Sequence, residues 1–224
     1  MKRKLCLLAI GGLLTSQGLL AQVQMGLKAG VNLATLKFDN PSLNATQQAR
    51  IDFQGGFLVD VPLTRSLSLQ PALLISTKGS QINTFAIDSS RTPIATPITN
   101  SIKLLYVELP LLALFRFEVS SSLRLYGGLG PYLGVGLSGR IHSSYAPLGE
   151  REVVFGSGAV GRNNFRRFDY GLSGAAGLEW HRLLVGLTYG YGLADLGSAL
   201  AKSYHRPISI SIGFWLSRRS SYRG

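Results

Sequence analysis

One cysteine, Cys6, stands in a chain of 224 residues, so no intramolecular disulfide is available. Histidine is scarce too, and His142, His181 and His205 share no metal-ligand spacing, so neither a metal centre nor a cofactor is expected. Charged residues make up only 15% of the sequence, low for a soluble exported protein. Yet no apolar run reaches the roughly 18 residues that a spanning helix needs. Few charges without a long apolar run is the composition of a chain that crosses a bilayer as strands.

The charge that remains is mostly positive, with 23 Lys and Arg against 11 Asp and Glu. Three of the basic residues belong to the opening "MKRKLCLLAIGGLLTSQGLLAQ". There an apolar stretch from Leu5 to Leu14 leads to small and polar residues before Ala21. This is the pattern of a secretory signal, with cleavage expected after Ala21. Residues 1–21 are accordingly read as signal peptide, 22–217 as one barrel domain and 218–224 as a basic tail. Cys6 leaves with the signal, and the mature chain carries a net charge of +9. Its arginines are scattered, whereas nucleic-acid readers concentrate Lys and Arg with exposed aromatics on one element, so no nucleic-acid partner is expected.

Glycine, by contrast, is abundant, and it crowds the stretch "LRLYGGLGPYLGVGLSG" at 123–139. A phosphate-binding loop would need a helix to follow, and none does. Leu123, Leu125, Leu129, Leu133, Val135 and Leu137 are odd-numbered; Arg124, Tyr126, Gly128, Gly130, Tyr132 and Gly134 are even. Period two is the signature of a strand with one aliphatic face.

The same alternation recurs in segments near 23–36, 50–62, 66–77, 102–117, 167–180, 182–193 and 207–216, which makes eight. The last sets Ile208, Ile210, Ile212, Phe214 and Leu216 against Ser209, Ser211 and Gly213. Between them, short connections such as "LTRS", "EVSSS" and "HR" alternate with long polar ones at 37–50, 78–101, 139–166 and 194–206. The segment "REVVFGSG" within the third long connection could form a further strand above the bilayer. Short periplasmic turns, long outer loops and an even strand number define transmembrane barrels of the bacterial outer membrane. The expected fold is therefore all-β: an eight-stranded antiparallel up-and-down transmembrane β-barrel.

In such a barrel the aliphatic face meets lipid and the polar face fills a narrow lumen. Lys28, Asp52, Asp60, Glu108, Arg116, Arg124, Asp169 and Glu179 fall on the polar face and are expected to form a lumenal charge network. Counted over 37–50, 78–100, 139–167 and 194–206, the long connections carry +6 of the mature charge, and Arg140, Arg162, Arg166 and Arg167 are candidate contacts for lipopolysaccharide phosphates. His142 with Ser143 and Ser144, or Ser203 with His205, could activate a hydroxyl for acyl transfer, but no acid is fixed beside either pair by spacing. No catalytic residue is assigned, and the chain is not expected to be an enzyme.

The motifs "GLKAGVNLATL", "LQPALLISTKGS", "LLYVELPLLALFRF", "LYGGLGPYLGVGLSG", "FDYGLSGAAGLEW" and "ISISIGFWL" resemble the PorT-like outer-membrane β-barrel family, also labelled porin-family proteins. The resemblance spans nearly all of the mature chain. The family's namesake is associated with protease export, and the chain is expected to have a structural or interaction role, accessory to protein export or surface assembly. The expected partners are outer-membrane lipid and lipopolysaccharide, the barrel-insertion machinery and an envelope protein. A lipid A-modifying hydrolase, a narrow pore and a soluble lipocalin-like barrel, which would bury the aliphatic face inside, are the alternatives.

Overall fold

In the computed structural model, residues 23–34, 36–38, 46–48, 50–87, 93–144, 149–156, 164–195 and 203–217 are described. The sequence-derived signal (1–21), tail (218–224) and Arg162 lie outside these residues. Eight long strands run up and down: β1 (Gln24–Ala34), β2 (Arg50–Pro62), β3 (Leu67–Ile87), β4 (Pro93–Glu118), β5 (Leu123–Ser143), β6 (Phe168–Trp180), β7 (Leu183–Gly192) and β8 (Ile208–Trp215). Each pairs antiparallel with the next. β8 then returns to β1, with Gly26 opposite Trp215 and Leu33 opposite Ile208, and the sheet closes. Closure pairs every strand on both sides, so no edge is left in hydrocarbon.

Side chains alternate across this wall as period two requires. Leu129, Ile210 and Ile212 face outward at 68%, 58% and 62% exposure, while Tyr106, Asp60 and Asp169 face inward at 0%. Trp180, Phe117 and Phe214 ring the wall near the short turns, and Phe168, Tyr170, Tyr189 and Tyr191 ring it near the other end. Such aromatic girdles mark the two membrane interfaces.

The three tight turns at 63–66, 119–122 and 181–182 identify the periplasmic end. Two close on hydroxyls: Thr64 Oγ1 accepts from the Leu67 amide at 3.0 Å, and Ser120 Oγ accepts from the Leu123 amide at 3.2 Å. His181 takes the left-handed conformation (φ 55°) that lets the third reverse in two residues.

Glycine-rich β5 answers to close strand approach. A Cβ on Gly128 would lie 1.9 Å from the Ala113 carbonyl oxygen, and one on Gly130 1.9 Å from that of Leu111. On the neighbouring strand β6, Gly171 stands opposite Tyr132 and Gly177 opposite Tyr126, and Gly186 of β7 lies beyond Gly177 beneath the Tyr126 hydroxyl, each leaving space that a Cβ would occupy.

The long connections differ from their expected extents. β3 continues to Ile87 and β4 begins at Pro93, so most of 78–101 is a hairpin, in register from Lys78 opposite Leu104 to Asn83 opposite Thr99. Polar residues dominate there because the bilayer's demand for a continuous apolar face ends once the hairpin leaves it, while backbone pairing continues. β5 likewise runs on to Ser143, past the expected loop start at 139. Between Leu105 and Tyr106 of β4 the register slips past Leu137, which flips the phase of β5, so Gly139 turns inward and Arg140 outward. At "REVVFGSG" and the residue before it, Glu150–Glu152 pairs beside β5 and Val154–Phe155 pairs with Asn164–Phe165. Ser203–His205 pairs with Leu36–Phe38 in the outer part of the chain.

Candidate functional site

The eight inward charges named from sequence do not make one network. At the periplasmic end, Arg116 donates from Nη2 to Asp60 Oδ1 at 2.9 Å and from Nη1 to Ser68 Oγ, and its Nε lies 3.5 Å from Glu179 Oε2. Glu179 also receives Arg124. The four charged residues come from β2, β4, β5 and β6 and Ser68 from β3, so the cluster ties five neighbouring strands together. Buried Trp215, Leu58 and Leu184 pack as an apolar group in this half of the lumen.

Nearer the outer end, a second cluster centres on Lys78, which the sequence reading placed in an outer loop. Lys78 ion-pairs with Glu108 and donates to Asp169 Oδ2 at 3.2 Å. His205 Nδ1 approaches the same Oδ2 at 3.0 Å, and Tyr132 donates to Oδ1 at 3.2 Å. The Lys78 ammonium also lies 5.0 Å and 5.6 Å from the ring centroids of Tyr132 and Tyr106. Above it Ile102, Leu104, Tyr106, Val153 and Phe165 form an apolar cap.

Asp52 belongs to neither cluster. Its partner is Arg50, 3.5 Å away, which also donates to Ser101 Oγ at 2.9 Å. Lys28 stands apart as well, lining a cavity of about 40 Å³ with Gln54, Glu108, Ser173 and Ser209. That volume is on the order of one water molecule's share of the liquid.

Among the described residues, the lumenal carboxylates of Asp52, Asp60, Glu108, Asp169 and Glu179 are matched one for one by Lys28, Arg50, Lys78, Arg116 and Arg124. Balance of this kind is what burial demands, since an unpaired charge in a water-poor interior is costly. Lys78 and Arg50 were missed from sequence as lumenal charges, and His205, named there only as a partner for Ser203, was missed as a partner of Asp169. Lys78 sits in "STKGSQ", which reads as a loop, and its partners lie 30 and 91 residues downstream.

The assignment of +6 to the outer connections is corrected by the same geometry. Lys78 and Arg50 were counted there but point into the barrel, so the outer surplus is smaller. Of the arginines assigned to that rim, Arg140 is exposed and lies 3.4 Å from Glu150, opposite Lys103 of β4. Arg166 and Arg167 are exposed just before β6, where the Arg167 carbonyl accepts from the Gly136 amide at 2.7 Å. His142 is exposed at the end of β5, His181 lies in a periplasmic turn, and His205 is buried against Asp169, so the three are far apart.

A sheet closed on itself, apolar outside and charge-paired inside, defines a membrane-spanning β-barrel. The sequence matches the outer membrane protein beta-barrel domain family over residues 15–197, and the chain belongs to that family. It is an outer-membrane β-barrel protein. No curated protein matches it in sequence. Among solved structures it is similar to Ail, the attachment invasion locus protein of Yersinia pestis, at 14% identity and TM-score 0.43, covering 87% of this chain and 99% of that one. Neisserial surface protein A is similar at 11% identity and TM-score 0.42, with coverages of 85% and 96%. Outer Membrane Protein W of E. coli follows at 14% identity and TM-score 0.34, with coverages of 85% and 96%.

Proposed function

We propose that this protein, exported by its N-terminal signal, acts in the outer membrane as a sealed structural and interaction barrel, without catalysis or cofactor. The observation that carries this reading is the lumen, where among the described residues two ion-pair clusters and their apolar neighbours flank a cavity of about 40 Å³ at Lys28, and a wider recess of about 750 Å³, lined by Gln24, Arg124, His181 and Trp215, is confined to the periplasmic mouth. A filled barrel offers its outer wall and its outer strands rather than a conduit. The partners are outer-membrane lipid and lipopolysaccharide, the insertion machinery that seats the barrel, and an envelope protein met at the outer end. The PorT-like motifs support an accessory role in export or surface assembly.

Exposed Arg140, Arg166 and Arg167, with Arg162, suit lipopolysaccharide phosphates, which guanidinium groups bind bidentately. Asp169 beside His205 would supply the hydrolase reading with an acid–base pair. Both side chains are buried inside the barrel, at 0% and 1% exposure, away from the wall along which acyl chains lie, and this favours the non-catalytic reading. The test is copurification. The variant with Arg140, Arg162, Arg166 and Arg167 all changed to Ala should lose bound lipopolysaccharide in a salt wash that the parent withstands, and equal retention would overturn the phosphate contacts.

A further inference from the structure

Arg206 was not singled out from sequence, and its surroundings are the most pre-arranged of any outward-facing cation among the described residues. It lies two residues before β8, where alternation sends His205 inward and Ile208 outward. Its guanidinium carbon sits 3.6 Å from the ring centroid of Tyr191 on β7, and 5.9 Å from that of Tyr204. Tyr191 is itself 46% exposed on the lipid-facing side, in the outer aromatic girdle. One nitrogen, Nη1, donates to the carbonyl oxygens of Gly192 at 2.6 Å and His205 at 3.1 Å.

These contacts fix the side chain without consuming it. The stack uses the guanidinium face and the two carbonyls use Nη1, while the edge formed by Nε and Nη2 makes no hydrogen bond to a described side chain or backbone group. That edge is the one that meets two oxygens of a phosphate in parallel. None of the ion pairs between described residues includes Arg206. A cation held at the level where acyl chains give way to headgroups, with no anionic partner among the described residues, is placed to take an anion from the surrounding lipid.

We propose that Arg206, stacked on Tyr191, is a binding site for a phosphate group of an outer-leaflet saccharolipid. The inference rests on reading the outer rim as a lipopolysaccharide surface, and adds to it one residue at the membrane boundary. Phosphate on a lipid and free phosphate share the same chemistry. The stack on a lipid-facing tyrosine favours the lipid, because the acyl chains of the same molecule would lie against the wall below, along Tyr189 and Ile208.

The test uses the full-length protein in vesicles, with binding of bisphosphorylated and of dephosphorylated lipid A measured for the parent and for Arg206→Gln, Arg206→Lys and Tyr191→Leu. Gln retains a donor for the Gly192 carbonyl, so the fold is kept, and heat-modifiable migration on a gel checks it. The parent should prefer the phosphorylated lipid. Arg206→Gln should lower that preference about tenfold, the size of one charge-assisted hydrogen-bonded contact. Arg206→Lys and Tyr191→Leu should fall between, since each keeps a cation but loses the fork or its support. An unchanged preference in Arg206→Gln overturns the proposal. Displacement of bound lipid A by inorganic phosphate would assign the site to free phosphate and overturn the lipid assignment. If the four-arginine variant loses lipopolysaccharide while Arg206→Gln does not, this site fails and the rim reading stands. The reverse pattern removes the rim arginines and upholds Arg206.

Discussion

Lys78 joins two carboxylates from different strands, Glu108 on β4 and Asp169 on β6, and it is 2% exposed. Replacing it by Met would leave two neighbouring buried carboxylates with no cation between them. Breaking a buried pair by removing one partner costs about 3–5 kcal/mol. Lys78→Met should therefore lower the urea midpoint of the refolded barrel substantially, and the triple change Lys78→Met, Glu108→Gln, Asp169→Asn should recover part of the loss. A single variant as stable as the parent would show that the cluster does not hold the strands. A second residue-scale prediction concerns Gly186, where a Cβ would come within 2.2 Å of the Tyr126 hydroxyl oxygen. Gly186→Ala should destabilise by about 1–3 kcal/mol through overpacking. Tyr126→Phe in the same molecule removes that oxygen and should relieve most of the cost, so a double-mutant cycle with no coupling would count against this contact.

At the scale of strands, Ile210 tests the wall. It is 58% exposed midway along β8, between the outer and periplasmic girdles, and it pairs with Val31 and Leu187 on its two neighbours. An arginine at a barrel's bilayer midplane costs roughly 2–4 kcal/mol. Ile210→Arg should thus lower the membrane-inserted yield while Ile210→Leu leaves it unchanged, and equal yields would place β8 in the wrong register. The alternation that made this face legible in sequence is a product of the bilayer, which demands apolar residues on one side only. Where the strands leave the bilayer the demand ends, and so did the legibility: β3 and β4 run on through "STKGSQINTF" and "PIATPITNS", whose composition reads as loop. Inward charges on the spanning segments could be named for the same reason. Their partners could not, because pairing depends on the register between distant strands, which brings Asp169 to Lys78 and His205 across 91 and 36 residues.

For the whole molecule, the arrangement of layers decides between a plug and a passage. Counting from the periplasm, the lumen holds the Asp60–Arg116–Glu179–Arg124 cluster beside Trp215, then the small cavity at Lys28, then the Lys78 cluster, then the apolar cap around Leu104 and Phe165. An ion entering from either side would have to displace a matched ion pair before it reached the cavity, and the cap adds an apolar barrier at the outer end. Eight strands enclose an interior that side chains fill, and among the described residues these layers occupy the lumen above the periplasmic mouth. Reconstituted in planar bilayers, the protein should show negligible conductance at moderate voltage. Glu179→Ala, which removes the shared acceptor of Arg116 and Arg124, should raise baseline noise before it produces any defined level, because the Lys78 cluster and the cap remain. A stable open level in the parent that admits small sugars would overturn the sealed barrel and move the function to transport.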